Sequence, residues 1–97
     1  MDGERVVSMK QELFRKQDYR SALREHACIV DGMNDLENCL REGELEEATL
    51  CLQDITRSLE EIKRLVVKEQ QEKHLRAIVQ KLMDANINIT VVQRYVQ

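Results

Sequence analysis

Cys28, Cys39 and Cys51, together with His26 and His74, are the side chains of this 97-residue chain best suited to hold a metal ion or to act as nucleophile and base. Their spacing argues against both uses. The cysteines are eleven and twelve residues apart, with no C-x-x-C pair among them. Along one helix eleven residues span roughly 16 Å, whereas zinc binds thiolates at about 2.3 Å. Cys39 and Cys51 lie on either side of Gly43, so a chain reversal there could bring the two together, still two ligands short of a zinc site. The expectation is no metal, no cofactor, and thiols that serve as small buried hydrophobes. An odd number of cysteines without a paired framework also suits a reducing, intracellular compartment.

Nucleophilic catalysis fares no better. Ser8, Ser21 and Ser58 lack the flanking glycines of a nucleophile elbow, and neither histidine is placed to activate them. His26 falls on an apolar helical pattern, and His74 sits in a solvated stretch between Lys73 and Arg76. The carboxylate pairs Glu46-Glu47 and Glu60-Glu61 are adjacent in sequence and diverge on a helix, which makes them solvated faces. Gly3, Gly32 and Gly43 are the only glycines, so no glycine-rich phosphate loop exists. The chain is read as not an enzyme.

The elements around these residues are helical by every local criterion. Proline is absent, and the three glycines are too few for the turns of a sandwich or barrel. Leu45, Ala48, Leu52, Ile55, Leu59, Ile62 and Val66 follow one another in alternating steps of three and four, which is a heptad seam. A second seam runs through Tyr19, Ala22, His26, Ile29, Met33, Leu36 and Leu40. Gly43 between them is placed to take the left-handed conformation after a helix, and Glu44, Glu46 and Glu47 favour the start of the next. The spacing therefore predicts an antiparallel helical hairpin turning at Gly43, with close packing at Gly32.

Before the hairpin, Val6, Met9, Leu13 and Phe14 predict a short first helix. After it, residues 68–73 lack any apolar side chain but are good helix formers, and periodicity resumes at Leu75, Ile78, Val79, Leu82 and Met83. Residues 84–88 predict a turn, followed by a last short helix over residues 89–96. Five acid-before-base pairs four residues apart, such as Glu37 with Arg41 and Glu60 with Arg64, support helix throughout. The expected fold is an all-α bundle of four or five helices forming one domain over residues 1–97.

Charge separates the remaining functional classes. Residues 1–31, 32–61 and 62–97 carry 0, −7 and +4, which lets neighbouring helices attract each other or presents an acidic face to a basic partner. Six basic residues between Lys63 and Lys81 could line one helix face, but they alternate with glutamates. With Phe14, Tyr19 and Tyr95 the only aromatics, direct nucleic-acid binding is not expected. The longest apolar runs, such as residues 65–67, are too short to cross a bilayer.

Residues 36–59, LENCLREGELEEATLCLQDITRSL, and residues 75–92, LRAIVQKLMDANINITVV, resemble helices of the transcription elongation factor N-terminal-like bundles. That family includes the integrase-binding domains of hepatoma-derived growth factor relatives. The resemblance covers under half the chain and rests on spacing. It implies a compact right-handed bundle of four or five helices that captures short disordered peptide motifs in nuclear transcription complexes; without it the compartment is read as cytoplasmic.

The functional expectation is a protein-interaction module or adaptor that docks partner helices or peptide motifs on apolar residues left over from its own core. Leu50, Leu65, Val67 and Val92 fall off the main seams and are the candidate docking residues. Leu45, Leu52, Ile55, Leu59, Ile62 and Val66 are assigned to the structural seam. The alternative is a coiled-coil homo-oligomerisation or scaffold element, a homodimer in the simplest case, in which that seam pairs between chains. A component of a tethering or kinetochore assembly would carry such a pattern.

Overall fold

The computed structural model describes residues 9–85. Two long helices dominate it, α1 over Tyr19–Glu42 and α2 over Leu45–Asp84, preceded by 3-10 turns at Gln11–Leu13 and Lys16–Asp18. The architecture is all-α, as expected, but the described residues form two helices and not four or five. Segment 9–18 is not a regular helix, and the polar stretch 68–73 is the uninterrupted middle of α2. The helix anticipated over residues 89–96 lies outside the described residues.

The reversal falls at Gly43, which takes φ 72° and ψ 19°. Its amide donates to the Leu40 carbonyl at 3.2 Å, and the Glu44 amide donates to the Cys39 carbonyl at 2.8 Å. These two bonds satisfy carbonyls that the last turn of α1 would otherwise leave open. Only Leu45 onward is helical again, so the two helices must run antiparallel and side by side.

The seam between them mixes small side chains with aliphatic ones. On α1 the inward residues are Ala22, Ile29, Gly32, Leu36 and Cys39; on α2 they are Ala48, Cys51, Ile55, Ser58, Ile62 and Leu65. At Gly32 the approach is closest: a Cβ built there would lie 2.8 Å from Ile55 Cγ1. Helical Gly32 thus serves close packing, which offsets the roughly 1 kcal/mol it costs against alanine. Ala22, Ala48 and Leu65 are buried, with Leu65 only 2% exposed, and Phe14 from the N-terminal segment completes the core against Ala22 and Leu65.

This seam corrects the assignment of core residues. Leu45, Leu52 and Leu59, read as the centre of the packing, are 64%, 51% and 47% exposed. Ile55 and Ile62 do line the hairpin seam, half-buried, and Val66 packs against the N-terminal segment. On α1, Met33 and Leu40 are likewise 56% and 57% exposed. Each helix carries three apolar or small rows seven residues apart, and therefore two overlapping seams that share a middle row. The hairpin closes on the seam with the smaller side chains, because these let the helix axes come closer and bring more backbone and Cβ atoms into van der Waals range.

Leu65→Ala is expected to cost about 2–4 kcal/mol of folding stability, since it empties a site with almost no solvent access. Gly32→Val, which forces a branched side chain against Ile55, is expected to cost about 1–3 kcal/mol. Denaturant unfolding followed by circular dichroism measures both, and a variant as stable as wild type would remove the corresponding contact from this account.

Candidate docking face

In an antiparallel pair, the residues one step C-terminal to the inward positions of both helices fall on the same side of the pair. On α1 these are Leu23, Val30, Met33, Glu37 and Leu40, and on α2 they are Thr49, Leu52, Thr56, Leu59, Lys63 and Val66, with Leu45 beginning the leucine row. The opposite side is charged: Asp31 and Asp35 of α1 border one shallow depression together with Asp54 and Arg57 of α2. The hairpin is therefore amphipathic as a unit. Met33, Leu40, Leu45, Leu52 and Leu59 all stay about half exposed or more, so among the described residues the apolar side is open over most of its length.

Only the open end of that face is covered. Met9 and Phe14 pack with Tyr19, Ile62 and Val66, and the Tyr19 hydroxyl donates to the Met9 carbonyl at 2.9 Å. The rings of Phe14 and Tyr19 lie 6.0 Å apart in a tilted arrangement. The segment is held by Arg15, whose Nε donates to Asp18 Oδ2 at 2.6 Å and whose Nη1 donates to Glu72 Oε2 at 2.8 Å. Asp18, buried at the start of α1, has its carboxyl held below the usual carboxylate range by the Arg15 guanidinium. The segment thus ends the apolar face at Val66 and leaves Leu59, Leu52, Leu45, Met33 and Leu40 open.

The four residues expected to dock a partner do not form one surface. Leu65 is core, a correction that follows from its place opposite Ala22 and Phe14. Leu50 and Val67 are exposed, but seventeen residues of helix separate them by roughly 100° around the axis and about 25 Å along it. Val92 lies outside the described residues. Sequence reading missed Val30, Met33 and Leu40 as surface residues. The signal was present in the small residues Gly32, Cys39, Ala48, Cys51 and Ser58, which marked the line of closest helix approach.

A second apolar stripe runs along α2 beyond the start of α1, through exposed Leu75 and half-buried Val79 and Leu82, with Ile78 and Met83 beside it. Leu75 is rotated roughly 140° from Leu52, so the two stripes are separate. The groups with chemical potential are dispersed. His26 is half-buried beside the seam, His74 is exposed, and Cys28 is an exposed free thiol. Cys39 and Cys51 face each other across the hairpin, and the Cys39 thiol is pushed up by burial and by its Cys51 neighbour. Among the described residues no three of His, Cys, Asp and Glu converge as a metal site, and no helix is long and apolar enough to cross a membrane. The exposed ion pairs fall within one helix. Glu37 pairs with Arg41 at 2.8 Å as anticipated, whereas Arg64 turns to Glu61 and Glu60 to Lys63.

The Asp18 carboxyl gives the covered end a pH signature. Its folded value lies below the ordinary 3.8, so the stability it contributes is present above that pH and is lost as pH falls through the lower folded value. Asp18→Asn is expected to lower the melting temperature at neutral pH and to match wild type in strong acid. A constant difference across the acid range would detach Asp18 from the anchoring of the N-terminal segment.

Comparison of the chain with protein-family models, with curated proteins and with solved structures finds no match, so the functional argument rests on the amphipathic hairpin itself.

Proposed function

We propose that this chain is a non-enzymatic interaction module that joins proteins by docking amphipathic helices on the apolar side of its hairpin. The observation that carries the reading is the row Leu45, Leu52 and Leu59 alongside Met33 and Leu40, all about half exposed or more and all on one side of a single helical layer. A stable helical domain ordinarily buries such rows under a second layer. Taking about 170 Å² as the full area of each side chain, these five residues and Val30 expose roughly 500 Å², near the upper range of the largest apolar patch on a typical monomer.

The pattern favours a helical occupant over an extended peptide. Leucines recur every seven residues, about 10 Å apart, and the half-buried residues Ile29, Leu36 and Ile55 floor the space between the two rows. A ridge of side chains from an incoming helix fits such a trough. The polar opposite face, rich in Asp and Arg, stays in solvent and keeps the assembled unit soluble. Assembly or scaffolding within a larger intracellular complex, of the tethering or kinetochore kind, is the role in which such a module operates.

The test is affinity capture by the full chain, with polypeptides quantified by mass spectrometry. Wild type and a charged-face control, Arg57→Ala, are expected to retain helical polypeptides, whether copies of this chain or others, that Leu52→Lys loses at least tenfold while keeping its helicity. Equal recovery by all three would refute docking on this face.

A further inference from the structure

The occupant of the apolar face can be argued from the hairpin's own charge and size, and the argument rests on the docking reading above. We propose that it is a second copy of this chain, stacked face to face in antiparallel sense, with Leu52 near the twofold axis and Leu45 of each copy against Leu59 of the other.

Charge sets the direction. Residues 37–47, at the turn, carry a net −4, whereas residues 15–28 and 60–72, at the open end, together carry +1. Stacking two hairpins with their turns at the same end sets the two acidic ends on each other. Stacking them in opposite senses sets each acidic turn on the partner's basic end. Lys63, one helical turn beyond Leu59 and exposed at the edge of the face, then lies by Glu42 and Glu44 of the other copy. Such complementarity selects orientation more than it adds affinity.

Size and shape set the occupant. The open row from Leu45 to Leu59 spans fourteen residue steps, about 21 Å, and is centred on Leu52, so reversal about that point superimposes the row on its counterpart. Self-complementarity of this kind is what a twofold interface requires. Two faces of roughly 500 Å² give on the order of 1,000 Å² of apolar surface removed from water, the size at which specific interfaces begin. The result is a four-helix layer pair in which each helix uses both of its seams, and the Phe14 segment of each copy closes the ends.

Sedimentation equilibrium of the full chain over a concentration series tests this directly. Wild type is expected at twice 11.4 kDa, and Leu52→Lys, which opposes two ammonium groups across the axis, at 11.4 kDa with helicity retained and association weakened at least ~100-fold. Should Leu52→Lys lose helicity, Leu45→Lys at the most exposed end of the row answers the same question. Zero-length carbodiimide cross-linking of a mixture of isotope-labelled and unlabelled copies is expected to join Lys63 of one copy to Glu42 or Glu44 of the other. A wild-type monomer throughout the series, a dimer indifferent to both lysine variants, or the absence of cross-links between open end and turn overturns the proposal. A monomer that still captures other helical polypeptides through Leu52 keeps the docking reading and removes only the second copy.

Discussion

The close approach of α1 and α2 along their small residues is the constraint on which the rest of this structure depends. Gly32 opposite Ile55, with Ala22, Cys39, Ala48, Cys51 and Ser58 along the same line, fixes the rotation of both helices about their axes. Once that rotation is fixed, the larger side chains have no choice of direction. Met33 and Leu40 on one helix and Leu45, Leu52 and Leu59 on the other must emerge together on one side. Asp31, Asp35, Asp54 and Arg57 must emerge on the other. The amphipathic character of the hairpin is thus a consequence of seam choice.

That arrangement explains how so little burial coexists with so much helix. The wholly or nearly buried hydrophobic residues are Phe14, Ala22, Ala48 and Leu65, and among the described residues no large side chain is completely enclosed. A two-helix layer has one internal seam, which cannot cover the apolar stripe of a helix that carries two. The N-terminal segment supplies a partial second layer at the open end, clamped by Arg15 between Asp18 and Glu72. Elsewhere the energetic demand for burial is unmet within the hairpin, and an unmet demand of this size is what association satisfies.

The thiols and imidazoles among the described residues are dispersed along the hairpin. The half-buried thiols at Cys39 and Cys51 pair with each other inside the seam, where their small volume helps the helices approach, and the histidines stand apart from them and from each other. The depression between Glu25 of α1 and Arg57, Glu60, Glu61 and Arg64 of α2 is lined by side chains of both charges, with Glu61 paired to Arg64. What the molecule presents in quantity is apolar helical surface at heptad spacing.

Helical character, the reversal at Gly43 and the antiparallel pairing are legible in the residues alone, whereas the expected four or five helices are two among the described residues. Absence of proline, heptad periodicity and a lone glycine between two apolar patterns are local properties, and the left-handed Gly43 cap follows from them. Seam choice was decided only by the tertiary structure. Periodicity reports that Leu45, Ala48, Leu52 and Ile55 share a side of α2, but it weighs leucine above cysteine or serine and so places the core one row too far round. The competing seam through Ala48, Cys51, Ile55, Ser58, Ile62 and Leu65 is poorer in large apolar groups yet lets the backbones meet, which only a second helix with Gly32 at the matching level can reward. Leu65 became core and Leu52 became surface for that one reason: packing is a property of two facing elements, and a single helix cannot specify which of its seams will be met.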